Sequence, residues 1–233
     1  MRMLVCGVGI LALGFGLTGS AVAGETFEEV SKKIAAAAEK VKSFSSKSKT
    51  VIEMKQEGFS MSSTTDTTYE MVRKGDSYLM RTETRSRSET SIMGQTTKQE
   101  STMLVIMDGE YSYTLTETDT VKIAQKRKIK DPKSHVDALE GWSDTADMKV
   151  LPDSSVDGHA VWVIEMTPKG GDQGKTVMSY HKESGQMIKM VSYTPDGKPM
   201  STMTSTDIKV NERISPERFV FKAPPGVTVE EIG

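Results

Sequence analysis

The sequence predicts an α+β protein that is mainly β: one strongly curved antiparallel sheet of about ten or eleven strands, covered by an N-terminal helix and by a second, inserted helix. Three observations lead to this fold class. An amphipathic segment follows an apolar leader, most of the remaining chain alternates apolar with polar residues, and short turns containing glycine separate the alternating segments. Strands joined by short turns are antiparallel neighbours. A sheet of that length has to curl, close or split, and curling around the helix would bury the apolar surfaces of both.

Residues 1–23 have the pattern of a cleavable secretory signal peptide. Arg2 supplies the positive charge, Leu4–Leu17 the apolar stretch, and Ala21–Ala23 the small residues of a cleavage site. An uncleaved membrane anchor is the alternative interpretation. We therefore expect export to the periplasm.

The mature chain, residues 24–233, is expected to form a single domain. The chain's one cysteine, Cys6, would leave with the leader, so an exported protein of this size would depend on its hydrophobic core rather than on disulfides. The formal net charge is −2, and the basic cluster Lys126–Lys130 is short enough to be a solvated loop. This composition argues against a nucleic-acid partner.

The first mature element is predicted to be a helix from Thr26 to Phe44. Thr26 and Glu29 have the spacing of a capping box, and the serine-rich segment Ser43–Ser48 would end the helix. Its apolar residues recur at helical spacing. They are Phe27, Val30, Ile34, Ala37, Val41 and Phe44.

A second helix is predicted from Asp131 to Glu140. Asp131 can cap it, Pro132 suits its first position, and Gly141 can terminate it. Val136 and Leu139 would form its buried side.

Glycine-containing turns mark the hairpins of the predicted sheet. They are Lys74-Gly75-Asp76, Met93-Gly94, Asp108-Gly109, Asp157-Gly158 and Asp196-Gly197. The stretch Met103–Met107 is apolar at every position, so we expect a central strand that is covered on both faces.

Two segments of the chain resemble the LolA-like superfamily. The tail Phe219–Val229 is similar to the closing segment of the periplasmic lipoprotein carrier LolA, and Met103–Tyr111 is similar to its apolar strand and Asp-Gly hairpin. LolB, RseB-type envelope sensors and LppX-type lipid carriers belong to the same superfamily. The order of elements is similar over essentially the whole mature chain.

The resemblance implies a half-open barrel whose helices close over an apolar cavity for acyl chains. The implied partners are lipoprotein acyl chains or free lipids, an inner-membrane release complex and an outer-membrane acceptor. The protein would act as a monomer without a cofactor. A carrier is the first interpretation; an envelope sensor of lipids or mislocalised lipoproteins, without carrier activity, is the alternative.

The candidate cavity residues are aromatic or apolar side chains on the predicted strands. They are Tyr69, Met71, Tyr78, Met80, Met103, Val105, Tyr111, Tyr113, Trp162, Ile164 and Met178. Cross-strand core packing is the alternative role for each of them. The candidate lid consists of Phe27, Val30, Ile34, Val41, Val136 and Leu139.

Methionine is abundant, with sixteen residues in the chain. Its flexible side chain suits either a cavity that moulds to a fluid ligand or an ordinary core. The pairs Met187 with Met190 and Met200 with Met203 could suggest a soft metal. Residues three apart in a strand face opposite sides, so no metal site is expected.

Arg73 is the candidate for gating the lid. In the LolA family an arginine followed by proline on an early strand hydrogen-bonds the lid, and Arg73 is the nearest match, although the proline is missing and Lys74 is one residue away. An exposed basic residue beside a turn is the alternative. The Ser/Thr-rich ribbon Thr82–Thr102 departs from the family pattern and is interpreted as an extended rim.

No catalytic centre is predicted. His135, His159 and His181 belong to no zinc-binding pattern, and no serine occupies a nucleophile elbow. We expect a binding protein that is not an enzyme.

Overall fold

The computed structural model describes residues 25–75, 77–129, 141–170 and 174–232, which form two helices, twelve strands and one 3-10 turn. The elements are α1 (Phe27–Glu39), β1 (Ser43–Gln56), β2 (Phe59–Lys74), β3 (Ser77–Ile92), β4 (Gln95–Met107), β5 (Tyr111–Thr118), β6 (Lys122–Lys128), α2 (Trp142–Thr145), β7 (Ala146–Val156), β8 (His159–Pro168), β9 (Thr176–His181), β10 (Met187–Tyr193), β11 (Pro199–Val210), the 3-10 turn (Pro216–Phe219) and β12 (Val229–Glu231). The predicted leader and the predicted helix Asp131–Glu140, with Val136, Leu139 and His135, lie outside the described residues.

All twelve strands belong to one open sheet in the order β12-β6-β5-β4-β3-β2-β1-β11-β10-β9-β8-β7. Neighbours are antiparallel except β12, which runs parallel to β6. The predicted fold class is confirmed. The strand count is twelve rather than ten or eleven, and β12 is too short for a pattern of alternation to reveal it.

The helix α1 begins as predicted and ends earlier. The Glu29 N–H donates to Thr26 Oγ1 at 3.3 Å and the Thr26 N–H donates to Glu29 Oε2 at 2.8 Å, which completes the capping box. The predicted end at Phe44 is wrong, because Phe44 lies in β1 and Val41 lies in the connection. There the Lys42 N–H donates to Asn211 Oδ1 at 2.7 Å, so pairing with the end of β11 replaces helical hydrogen bonding.

The apolar side of α1 packs on β8 and β9. Val30, Ile34 and Ala37 are buried in one cluster with Trp162, Ile164, Met178 and Tyr180. Val41 and Phe44 belong to a second cluster with Met71, Tyr69 and Tyr78. The predicted apolar stripe is therefore buried except for Phe27, which is half-buried, and its last two members are not helical.

The sheet curves around α1. The helix contacts β7, while its Ala38 carbonyl accepts a hydrogen bond from Arg73 of β2. A helix of this length is about 20 Å long, whereas the seven strands from β7 to β2 laid flat would span about 29 Å. The contacts reach both strands because the sheet is bent toward the helix. We call the side that carries α1 the concave face and the other side the convex face.

Strand register assigns each side chain to a face, because two directly opposed residues in an antiparallel ladder point to the same face of the sheet. One row runs across the sheet from Ile164 and Met178, which contact α1, to β4. It consists of Ile164, Met178, Met190, Met203, Thr50, Thr65, Ser86 and Ser101. The concave face therefore carries the even-numbered residues of β1, β3 and β5 and the odd-numbered residues of β2 and β4.

In strands β1 to β5, the charged side chains lie almost entirely on the convex face. On the concave face of these five strands, which the structure describes in full, Arg73 is the only charged residue. The convex face carries ion pairs such as Arg85 with Glu100 at 3.2 Å. The C-terminal tail also covers part of it: Arg218 pairs with Glu70 at 2.8 Å and Phe219 is buried.

The stretch Met103–Met107 is not covered on both sides, so that prediction is wrong. Ile106 is 1% exposed, but Met103 is 40% exposed. Ile106 faces the convex side, where it shares a pocket with the tail residues Ser215 and Val220. Met103 faces the open part of the concave side, and β4 is the fourth strand from the β12 edge of the sheet.

The turn between β9 and β10 provides a test of the docking of α1. Gly185 has φ +66°, and a Cβ there would lie 2.3 Å from the Ile34 carbonyl oxygen. Gly197 also has positive φ, +81°, but a Cβ there meets nothing within 4 Å. We expect Gly197→Ala to lower the free energy of unfolding by about 1–2 kcal/mol through backbone strain alone, and Gly185→Ala to lower it further by displacing α1. Urea denaturation measures both, and equal losses would show that α1 does not rest on this turn.

A candidate ligand-binding face under the N-terminal helix

The centre of the concave face is a patch of hydroxyl groups, which we call the hydroxyl patch. It consists of Ser48, Thr50, Thr65, Thr67, Thr84 and Ser86, all of them half-buried. Thr65 Oγ1 lies 2.9 Å from Ser86 Oγ, and Thr67 Oγ1 lies 3.4 Å from Thr84 Oγ1. Curvature of the sheet partly shields these side chains from solvent.

Beside the hydroxyl patch, three methionines lie on adjacent strands, and we call them the methionine row. Met178, Met190 and Met203 are directly opposed on β9, β10 and β11. Met178 is buried and accepts a hydrogen bond from the Tyr180 hydroxyl at 3.6 Å, whereas Met190 and Met203 are half-buried. The row continues the apolar surface beneath α1 toward the centre of the sheet.

An open cleft of about 1000 Å³ lies where the β1–β2 hairpin approaches the ends of β8 to β11. Its apolar lining includes Met54, Met61, Met166, Met200 and Tyr193. Pockets that bind small molecules commonly have volumes of about 300–1,000 Å³. The concave face therefore offers open space at this end, at a distance from the packed contact with α1.

A second groove, of about 650 Å³, lies mainly on the convex face. Lys47, Lys49, Asp66, Glu83 and Arg85 line it together with Leu104 and Leu115. Charges of both signs alternate there, and Lys47 pairs with Asp207 at 2.8 Å. Such a surface is typical of a solvated sheet face.

Most of the predicted cavity residues do lie on the concave face. The strands β2 to β4 contribute Tyr69, Met71, Tyr78, Met80, Met103 and Val105. Trp162, Ile164 and Met178 also face that side, but they pack directly against α1. Of the predicted lid residues, Phe27, Val30 and Ile34 cover these three side chains, and Val41 packs beside Met71.

Tyr111 and Tyr113 do not join the other candidates. Tyr113 is opposed to Ile106, which places it on the convex face, and its ring stacks on Phe221 of the C-terminal tail with centroids 5.0 Å apart. Tyr111 shares that face. The sequence grouping is corrected here because alternation shows that two residues share a face but only the register shows which face it is.

Arg73 connects β2 with the end of α1. Its Nη2 donates to the Tyr78 hydroxyl at 2.7 Å and to the Ala38 carbonyl at 3.5 Å. The guanidinium also lies 5.3 Å from the centroid of the Tyr78 ring. A cation at the C-terminal end of a helix interacts favourably with the helix dipole. Arg73 thus contacts the element that was predicted to be the lid.

Burial shifts the pKa of two tyrosines on this face and of His181 at the end of β9. Burial raises the pKa of Tyr180 to about 12. Burial, with a smaller contribution from neighbouring Tyr78, raises the pKa of Tyr69 to about 12 as well. His181 has its pKa lowered by burial and by His159, and its Nδ1 lies 2.9 Å from Ser184 Oγ. The face provides hydroxyl groups and apolar surface rather than charge.

Two features of the site escaped the sequence analysis. The hydroxyl patch had a signal, since Ser46 to Thr50 alternates hydroxyl with lysine. The methionine row had no such signal, because it depends on the register with which the consecutive strands β9, β10 and β11 pair. The argument that Met187 and Met190 face opposite sides is also wrong: a bulge at Ile188 lets both pack against the α1 cluster. Within the described ranges, no three His, Cys, Asp or Glu side chains form a metal-binding group.

No protein-family model and no curated protein sequence matches this chain. Several solved structures do resemble it. The crystal structure of MucB has 12% identity and a TM-score of 0.47, over 82% of this chain and 61% of that one. The MucA/MucB complex from Pseudomonas aeruginosa has 12% identity and a TM-score of 0.48, over 82% and 59%. A LolA superfamily protein from Nitrosomonas europaea has 11% identity and a TM-score of 0.26, over 82% and 97%.

This chain spans about three fifths of the length of the MucB structures. The structure itself has the curved sheet and the N-terminal helix that the sequence resemblance implied. With identities this low and TM-scores below 0.5, these likenesses carry no argument about this chain. What the chain binds has to be argued from its own residues.

The contact of Arg73 with α1 can be tested by hydrogen exchange. We expect Arg73→Gln to increase the exchange rate of amides in the last turns of α1 by about fivefold to tenfold, because a hydrogen bond from a charged donor to the Ala38 carbonyl is lost. Lys74→Gln is the matched control, since Lys74 is exposed and faces the other side. Equal exchange in both variants would contradict a role for Arg73 in holding the helix.

Proposed function

We propose that this protein is a periplasmic binding protein that carries lipids or the acyl chains of lipoproteins on its concave face, with α1 as a movable lid. The observation that carries the proposal is the concave face itself. On this face, strands β1 to β5 carry a single charged residue. The face continues into an apolar surface under α1 and opens into a cleft whose lining includes Met54, Met61 and Met166 beside charged residues such as Glu53 and Lys55. The proposed action is binding without covalent chemistry.

Burial of hydrocarbon supplies the binding energy. Each methylene group removed from water contributes about 0.8 kcal/mol, so affinity depends on apolar area more than on directional contacts. Met190 and Met203 are half-buried and unbranched, so they can adjust to chains of variable shape. Ile164 and Met178 would extend the same surface once α1 is displaced.

The helix and the ligand would compete for one surface. In the present structure α1 covers Trp162, Ile164 and Met178, which we interpret as the closed position of the lid. An acyl chain entering from the cleft would replace α1 on these side chains. Arg73 would act at the end of the helix by stabilising the closed position until a ligand or a partner displaces it.

Location and partners are part of the same proposal. No helix among the described residues is long and apolar enough to cross a bilayer. The chain would receive its cargo from an inner-membrane release complex and deliver it to an outer-membrane acceptor. An envelope sensor would bind the same ligands without delivering them, so transfer of bound lipid to acceptor vesicles distinguishes a carrier from a sensor.

Detergent-free purification followed by native mass spectrometry and lipid extraction tests the proposal. We expect diacyl or triacyl species to copurify with the exported protein. Met203→Lys should abolish copurification because it places a charge beside the acyl chains on the concave face. Thr202→Lys, one residue away on the convex face, is the control and should retain the lipid. A ligand-free wild-type protein, or equal lipid content in both variants, would refute lipid carriage on this face.

A further inference from the structure

Along one row of the concave face, polarity changes midway across the sheet. The row of directly opposed residues is apolar from Ile164 through Met203 and carries hydroxyl groups from Thr50 through Ser101. Each half covers four strands, which corresponds to about 14 Å at the usual strand spacing. A ligand lying along this row would contact apolar surface at one end and hydroxyl groups at the other.

We propose that the ligand is an amphiphile with an uncharged, hydroxyl-bearing head of the neutral glycolipid class. Its acyl chains lie along the methionine row, and its head lies on the hydroxyl patch. This inference rests on the proposed function and specifies its ligand.

The absence of charge selects against ionic heads. No Asp, Glu or Lys lies on the concave face of the described strands β1 to β5, and Arg73 is already engaged with Tyr78 and the Ala38 carbonyl. A phosphate or carboxylate brought onto this face would lose water without gaining a countercharge, which is costly. The convex face, with its many lysines and arginines, is the surface that would suit an anion.

Hydroxyl groups suit a sugar because each can donate one hydrogen bond and accept two. In the pairs Thr65 with Ser86 and Thr67 with Thr84, each hydroxyl uses one of its donors or acceptors to bind the other hydroxyl of the pair. The remaining donors and acceptors would serve a head group whose own hydroxyls also donate and accept. A site that hydrogen-bonds a ligand discriminates strongly against an analogue that lacks those groups.

Binding of three lipids with identical dioleoyl chains tests the inference. The lipids are monogalactosyl diacylglycerol, anionic phosphatidylglycerol, and diacylglycerol without a head group. Native mass spectrometry of the mature protein titrated with each lipid gives relative affinities. We expect the galactolipid to bind about tenfold more tightly than either of the others, as a few additional hydrogen bonds would produce. Equal affinities, or a preference for phosphatidylglycerol, would overturn the assignment.

Threonine-to-valine variants locate the effect, because valine removes the hydroxyl and keeps the branched shape. The variant Thr65→Val, Thr67→Val and Thr84→Val should lose the tenfold preference and keep its affinity for diacylglycerol, which also shows that it is folded. The control variant is Thr64→Val, Thr68→Val and Thr102→Val, on the convex face of the same part of the sheet. It should keep the preference, and loss of the preference in both variants or in neither would refute the role of the hydroxyl patch.

The outcomes distinguish a failure of this inference from a failure of the proposed function on which it rests. If all three lipids bind with one affinity, the head-group assignment fails and lipid carriage stands. If none binds and no lipid copurifies, the proposed function fails and the inference fails with it.

Discussion

The packing of α1 against β8 and β9 is the contact on which the curvature of the sheet depends. Val30, Ile34, Ile164 and Met178 are at most 1% exposed, and full burial of such a side chain contributes about 1.5–3 kcal/mol. With the chain's one cysteine in its predicted leader, apolar burial of this kind has to hold the domain together. The same contact occupies the surface where hydrocarbon would bind. Stability of the empty protein and affinity for a ligand are therefore opposed, since a ligand has to replace the apolar contacts that α1 gives up.

The separation of charge between the two faces has a simple origin. In a strand, consecutive side chains point to opposite faces, and β1 alternates serine and threonine with lysine from Ser46 to Thr50. In β3, hydroxyl residues from Thr82 to Ser88 alternate with Glu83, Arg85 and Arg87, and ion pairs such as Arg85 with Glu100 form on the convex face. The resemblance to the LolA-like superfamily implied an apolar cavity. The structure has a face with one charged residue, Arg73, that is apolar near α1 and hydroxyl-rich at its centre, and the proposed amphiphile would contact both parts.

Local features were predictable from the sequence, and features that depend on pairing were not. The capping box of Thr26 and Glu29 and the turn at Asp108-Gly109 are encoded by adjacent residues, and both are present. The end of α1 was placed too late because Asn211, far away in sequence, hydrogen-bonds the Lys42 N–H. Alternation grouped Tyr113 with Tyr69, but the register of β5 against β4 places it under the C-terminal tail. The methionine row exists only through the pairing of β9, β10 and β11.

The most direct test of binding on the concave face uses two neighbouring positions that point in opposite directions. Thr65 belongs to the hydroxyl patch and Thr64 to the convex face, and the predicted mature chain contains no other cysteine that would react. Single variants Thr65→Cys and Thr64→Cys would be labelled with a water-soluble maleimide, with and without dioleoyl lipid. Lipid should slow labelling at position 65 and leave position 64 unchanged. Equal protection at both positions, or protection at 64 alone, would contradict a ligand on the concave face.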